Sequence, residues 1–397
     1  MNVEAEWLYL SHTIDGNGYT VELLYSRNGD LRATKRFLRQ TRVLGNILNQ
    51  RESDQMKVLA RVFRSLLVFL SIPWGVGSAQ TDAMKLGPFE RTKPRMLSVP
   101  MGEETFAEYD ALNGSISLAQ QCSEITNSFW VEVEKRGECI RYYSGGWSED
   151  NSTAIVYFPG DAILRNSKAV RFISKSYLGK SPASITSDMN EWGEKAGVPV
   201  VFLARPGLYG SSGDHNQRRH KREIDLMNGA LDQLKQRYGI KRFILAGQSG
   251  GGHIAASLLT QRNDIKAVVI SSGLLAVKRV TEIWDRRRSV PGPLLHDIDA
   301  FYDPVDEIQS ISNNPAPIIW VLSDPEDLVI PFSTQLFYVR KLKAAGFNPY
   351  HIYVRAGDRQ HHGLYKQAQL TSALIAQGKT PRQIMAALQA MDLEQIE

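Results

Sequence analysis

Ser249 stands inside the run Gly247-Gln248-Ser249-Gly250-Gly251-Gly252. Before it, Arg242–Ala246 is apolar after its first residue and reads as a short buried strand. After it, His253-Ile254-Ala255-Ala256-Ser257-Leu258-Leu259 reads as a helix. G-x-S-x-G between a strand and a helix presents a hydroxyl at a sharp turn, beside a helix N-terminus whose amides favour a developing anion. Glycines two before and two after the serine remove the Cβ atoms that such a turn would crowd. The chemistry is nucleophilic attack.

A serine hydroxyl needs a base to take its proton and a carboxylate to orient that base. In a strand-turn-helix architecture those partners follow in the order acid, then histidine. Ser323-Asp324-Pro325-Glu326-Asp327-Leu328-Val329-Ile330-Pro331 offers three carboxylates just after an apolar run. Asp358-Arg359-Gln360-His361-His362-Gly363-Leu364 offers two adjacent histidines after the last apolar run. Asp324 or Asp327, and His361 or His362, therefore stand past the C-terminal ends of expected strands. Ligands bind there in open α/β sheets.

The elements that must carry these residues alternate in type. Phe129–Glu134 and Cys139–Tyr143 read as an antiparallel hairpin turning at Lys135-Arg136-Gly137. Thr153–Phe158, Val198–Ala204, Arg242–Ala246, Ile265–Ile270, Ala316–Leu322 and Tyr350–Val354 follow, mostly as continuous apolar runs. Helix-length segments such as Arg222–Tyr238 and His253–Arg262 separate them. The expected class is α/β, a mostly parallel central sheet with helices on both faces. Residues 274–314 are too long for a plain crossover and read as a small cap insertion.

Gly247-Gln248-Ser249-Gly250-Gly251, Asp327-Leu328-Val329-Ile330-Pro331 and His362-Gly363-Leu364, in that order, resemble the α/β-hydrolase superfamily over about residues 129–378. The resemblance implies a serine hydrolase with Ser249, Asp327 and His362 as its triad, because acids there often precede an apolar-then-Pro sequence and histidines a Gly. Asp324 and His361 are the alternates. It implies an oxyanion hole from the backbone N–H groups of Gly250 and Asp161. Asp161 lies in Pro159-Gly160-Asp161-Ala162, where relatives carry a His-Gly turn. Arg205-Pro206-Gly207-Leu208-Tyr209-Gly210-Ser211 is similar to a glycine-rich turn after the fourth strand, and serves packing rather than chemistry by Ser211 or His215. His253 reads as a structural group. The implied activity is carboxylic ester hydrolysis with no cofactor and no metal, on a small-molecule ester or short peptide. Two other readings stand beside it. One is an oligopeptidase, although residues 80–128 are too short for the propeller such enzymes carry. The other is a catalytically silent hydrolase fold used for binding.

Composition sets the outer limits. The chain is 397 residues, 43% hydrophobic and 22% charged, which excludes wholesale disorder. Of the +5 net charge, residues 1–79 carry ten basic against seven acidic residues, leaving 37 against 35 for the remainder. That near-neutral bulk points away from nucleic acid. Met56 to Gln80 runs from Lys57, Arg61 and Arg64 through an uncharged apolar stretch to Gly77-Ser78-Ala79. This is the order of a secretory signal peptide, too short for a membrane span. The expected organisation is an extension over 1–55, a signal peptide over 56–79 and a hydrolase domain over 80–397, secreted or periplasmic. Without use of the signal the protein would be cytoplasmic. Cys122 and Cys139 follow the signal and are free to pair or to remain two buried thiols. Arg218-Arg219-His220-Lys221-Arg222 could attract an anionic substrate but reads first as a solvated helix start, and Arg286–Arg288 in the cap carries the same two readings.

Overall fold

A computed structural model describes residues 84–394, apart from residue 91, together with the strands Tyr9–Ile14 and Thr20–Ser26. Contacts divide the chain into Met1–Ala79 and Gln80–Glu397. In the first unit the two strands pair antiparallel. Segment 56–79, expected as a signal peptide, and most of the preceding extension lie outside the described residues.

In the second unit eight strands build one sheet. They are β1 (Ser128–Val133), β2 (Arg136–Gly145), β3 (Thr153–Phe158), β4 (Val200–Leu203), β5 (Arg242–Gln248), β6 (Ile265–Ser271), β7 (Ile318–Ser323) and β8 (Tyr350–Tyr353). Their spatial order is β8-β7-β6-β5-β3-β4-β2-β1. Only β2 runs against its neighbours; β3 to β8 are parallel. The strands match the apolar runs to within two residues at most ends.

The hairpin turn differs from expectation. Val133 pairs with Arg136, so Glu134 and Lys135 alone make the turn, both at positive φ (50° and 61°). A two-residue turn of that hand matches the strand twist, and it leaves Arg136 and Gly137 to the ladder.

The longer helices among the described residues are α1 (Pro182–Ala196), α2 (Lys221–Tyr238), α3 (Gly250–Leu258), α4 (Val277–Asp285), α5 (Phe332–Ala344), α6 (Tyr365–Ala376) and α7 (Pro381–Glu394), and all but α4 pack in the two layers that cover the sheet. Successive strand residues point to opposite faces, and both faces are apolar here. Val156, Leu245, Val268 and Val321 pack under α2, α3 and α5 with Met227, Leu231, Leu258 and Leu342. Ile155, Ile244, Val269 and Trp320 face the other way, against Ile185, Met189 and Trp192 of α1 and Ala368 and Ile375 of α6. Continuous apolar strands follow directly from this double burial.

Cys122, in the short helix Ala119–Glu124, forms a disulfide with Cys139 of β2. Leu97 and Ile125 pack around it. The segment between β6 and β7 is the one read from the sequence as a cap, and it keeps that name. It holds α4, a helical turn at Gly292–Leu295 and a 3₁₀ turn at Ile308–Ser310. The indole N–H of its Trp284 donates to the carbonyl of Val329 in the acid loop (2.9 Å). The amide of Ser289 donates to Ser167 beyond β3 (2.8 Å). The cap therefore lies over the C-terminal ends of the strands.

Candidate active site

β5 runs further than its apolar core, through Gly247 and Gln248, and α3 starts at Gly250. No connecting residue is left but Ser249, whose φ of 55° and ψ of −118° lie outside the ordinary regions. Such a conformation costs on the order of 1–3 kcal/mol and persists only where the surroundings enforce it. The enforcement is visible at the flanking glycines. A Cβ on Gly247 would meet the carbonyl oxygen of Gly251 at 2.3 Å, and one on Gly251 would meet that of Phe158 at 2.0 Å. The turn can therefore exist only with glycine at both positions. Ser249 remains partly accessible above the sheet.

Asp327 and His362 meet. The Nδ1 of His362 lies 2.9 Å from Oδ2 of Asp327 and 3.1 Å from Oδ1. The Asp327 side chain is fully buried, and its Oδ1 also accepts from the amides of Val329 (2.8 Å) and Ile330 (2.9 Å). Those amides fix the carboxylate's rotamer. A carboxylate on Nδ1 fixes the tautomer and leaves Nε2 to act as a base.

The alternates pair with each other. Asp324 Oδ2 lies 3.2 Å from His361 Nδ1 and accepts from the amide of Ala356 (2.9 Å). His361 has a φ of 53°, so the two adjacent imidazoles diverge, each to its own aspartate.

What separates the pairs is a residue that sequence reasoning left aside. Gln248, the neighbour of Ser249, donates from Nε2 to the carbonyl oxygen of His362 (3.0 Å). Asp358 accepts from the amides of His362 (2.8 Å) and Gly363 (3.3 Å). The loop of His362 is thus tied to the strained turn on one side and braced within itself on the other. Ser249 makes no hydrogen bond with the imidazole, and hydrogen bonds of this kind often tighten only once substrate is present.

At the other flank Gly160 approaches the turn; its Cβ would lie 3.5 Å from that of Ser249. Among the described residues the amides of Asp161 and Gly250 donate to no acceptor. The Asp161 side chain carries more than its sequence context suggested. Its Oδ1 accepts from Nη1 of Arg205 (2.8 Å), and its Oδ2 from Nε of Arg218 (3.0 Å) and Nη2 of Arg219 (2.5 Å). Burial disfavours the charge of Asp161, but Arg219, Arg218 and Arg205 outweigh it and hold the carboxyl well below its usual range. A Cβ on Gly250 would fall 2.1 Å from Oδ1 of Asp161, so the carboxylate is wedged against the start of α3.

This overturns the reading of Arg218–Arg222 as a solvated helix start. Arg219 is buried, and the side chain of Arg218 is only 10% exposed. Arg205 Nε also donates to Glu223 (2.9 Å), which accepts from the amide of Arg219 (2.7 Å). The sequence signal was faint: a carboxylate where a His-Gly turn is usual.

His215 is buried beside the cluster, and the surrounding burial and arginines push its pKa well down. Ser211 accepts from the amide of Arg141 (2.9 Å), a packing role as expected. His253, buried under the cap, lies with Nε2 2.8 Å from the carbonyl of Tyr302, and burial lowers its pKa to about 4. In the cap, Arg286 and Arg287 are exposed, while Arg288 turns inward to Asp285 (2.7 Å). A cavity of about 570 Å³ opens among cap residues including Glu282, Asp285, Pro293 and His296, and no triad candidate lines it.

No family model and no curated protein matches the chain. Several solved structures are similar to part of it. The Pyrococcus furiosus esterase Pf2001 superposes with a TM-score of 0.44 at 12% identity, covering 71% of this chain and 97% of its own. Est1E from Butyrivibrio proteoclasticus with bound ferulic acid gives 0.44 at 13% identity, covering 68% and 99%. An acylaminoacyl peptidase from Pyrococcus horikoshii gives 0.42 at 15% identity, covering 63% of this chain; the match spans only 39% of the peptidase. With its sheet reversing direction of growth around β3 and a strained serine turn leaving β5, the chain has the α/β-hydrolase fold.

Proposed function

We propose that the protein is a serine hydrolase that cleaves a carboxylic ester through an acyl-enzyme on Ser249. The observation that carries this is the His362–Asp327 pair, joined through Gln248 to a serine held in strained backbone geometry. His362 takes the proton of the Ser249 hydroxyl as that oxygen bonds to the acyl carbon. The same imidazolium then protonates the departing alkoxide. Asp327 holds the tautomer and stabilises the imidazolium cation. The amides of Gly250 and Asp161 receive the oxyanion of the tetrahedral intermediate. Water, activated by His362, repeats the sequence to release the acid and restore the serine.

We further propose export through residues 56–79. The Cys122–Cys139 disulfide supports this, since such bonds persist in oxidising compartments.

The test is labelling by a fluorophosphonate and turnover of p-nitrophenyl esters beside aminoacyl anilides. Ser249→Ala should abolish both labelling and turnover, a loss of about 10⁶ in rate. Retention of more than a few per cent of turnover would refute the nucleophile. Faster cleavage of the anilides would favour a peptidase, and no turnover of either a binding protein.

A further inference from the structure

Beyond Asp161 the chain forms a small hairpin of unusual charge. Its strands Ile163–Arg165 and Arg171–Ile173 pair antiparallel, with Arg165 directly opposite Arg171. Like charges facing across a strand pair are destabilising. Two more arginines reach the same place from other parts of the chain. Arg218 extends from Asp161 along the first strand, its Nη2 lying 3.4 Å from the carbonyl of Ile163. Arg288 comes from the cap, beside Ser289, whose amide is bonded to Ser167 in the hairpin turn.

Against this, the nearby carboxylates are already engaged. Asp161 serves three arginines, and Asp285 serves Arg288 and His296. Arg165 donates to the carbonyl of Ala169 (3.0 Å) but forms no ion pair among the described residues. Burial, with Arg218, Arg171 and Arg288 nearby, outweighs the opposing pull of Asp285 and lowers its pKa to about 10. Arg219, immediately behind, keeps a buried Nε with no hydrogen-bond partner. None of Arg165, Arg218 and Arg288 is fully buried: Arg165 is partly exposed, and the side chains of Arg218 and Arg288 are 10% and 13% exposed.

We propose that Arg165, Arg218 and Arg288 form an anion-binding subsite of the active site, and that the substrate is an ester bearing a terminal carboxylate or phosphate. Its position fits that role. Arg165 lies four residues past Asp161, at most about 13 Å along an extended chain from the oxyanion amide. An anionic terminus docked there leaves the ester carbonyl of the same small molecule over Ser249. Guanidiniums from two loops and a strand match either group, because both present paired oxygens to a planar fork. The assignment rests on Ser249 as nucleophile.

The experiment compares mono-p-nitrophenyl adipate, its ω-phosphate analogue and p-nitrophenyl butyrate. The unmodified protein should favour an anionic ester in kcat/KM. Arg165→Met should lower that preference on the order of 10- to 100-fold, the worth of a charge-assisted hydrogen bond, mainly through KM. Arg288→Gln should act in the same direction. Melting with adipate or inorganic phosphate separates the two sources: the matching anion raises Tm of the unmodified protein and not of Arg165→Met. Without ligand, Arg165→Met should melt higher, since it removes repulsion; a merely structural arginine would lower Tm when lost. Equal use of neutral and anionic esters, or an unchanged preference in both variants, would overturn the subsite while leaving hydrolysis by Ser249 intact. Anion-dependent Tm shifts in a protein that turns over no ester would instead sink the nucleophile and keep the subsite.

Discussion

Replacing Asp161 by Asn removes one charge and almost no volume, so it isolates the electrostatics of the three-arginine clamp. Arg205, Arg218 and Arg219 all lie within 3.0 Å of the Asp161 carboxylate, and none of the four side chains is more than 11% exposed. At about 4 Å and an effective dielectric of about 20, each pair is worth roughly 4 kcal/mol of gross attraction. Three pairs give roughly 12 kcal/mol gross. Relief of the buried carboxylate's desolvation offsets several of these, and relaxation of Arg218 toward solvent recovers more. Loss of one member of a buried charge set typically nets about 3–5 kcal/mol. Asp161→Asn should therefore lower unfolding free energy in urea by about 3 kcal/mol or more. The carboxylate also braces the loop whose amide is the proposed oxyanion donor, so kcat should fall with it, by up to roughly 10²-fold, the loss expected of one such donor. Adding Arg218→Gln should recover part of the stability, because one unpaired guanidinium is then gone; residues in such contact are not additive. A stable, fully active Asp161→Asn, or strictly additive losses in the double variant, would refute the clamp.

The two histidine–aspartate pairs make a sharper test of assignment. His362→Ala and Asp327→Asn should each remove nearly all turnover, whereas His361→Ala and Asp324→Asn should retain most of it; the reverse pattern in ester assays would exchange the pairs. Converting both Cys122 and Cys139 to Ser should destabilise the fold by roughly 3 kcal/mol, the chain-entropy value for a loop of this length, read as a lowered urea midpoint. His253 and His351 are held neutral by burial, each with its pKa lowered to about 4 from 6.5. The unfolded chain therefore binds more protons between those values, and stability should fall as pH drops from about 6.5 to 4, by at most about 3 kcal/mol per histidine. Urea midpoints at pH 7, 5.5 and 4.5 would show it; a flat profile would contradict neutral burial.

The architecture was legible because burial on both sheet faces writes itself as unbroken apolar runs. Val156, Leu245 and Val268 face one layer while Ile155, Ile244 and Val269 face the other, so neighbouring positions at the centre of these strands are apolar alike. The serine turn was legible because its geometry admits only glycine at Gly247 and Gly251. The choice within each pair of neighbours was less so, because periodicity does not say which of two adjacent histidines turns inward. That depends on a positive φ at His361 and on Gln248, whose side chain reaches 114 positions along the chain.

The basic run Arg218–Arg222 was misread for a related reason. A cluster of like charges looks solvated whenever its counter-ion is remote in sequence, and Asp161 lies 57 and 58 residues away from its two partners there. The same remoteness explains what these charges do. The loop carrying the proposed oxyanion amide is not braced by its own short segment; distant guanidiniums hold its Asp161 side chain instead. Of Arg165, Arg218 and Arg288, Arg165 alone forms no ion pair among the described residues, and the nearby Asp285 already serves Arg288 and His296. Uncompensated, partly buried charge costs stability. Its removal should therefore stabilise the resting protein while weakening its hold on an anionic substrate, and those two effects of opposite sign distinguish a binding group from a structural one.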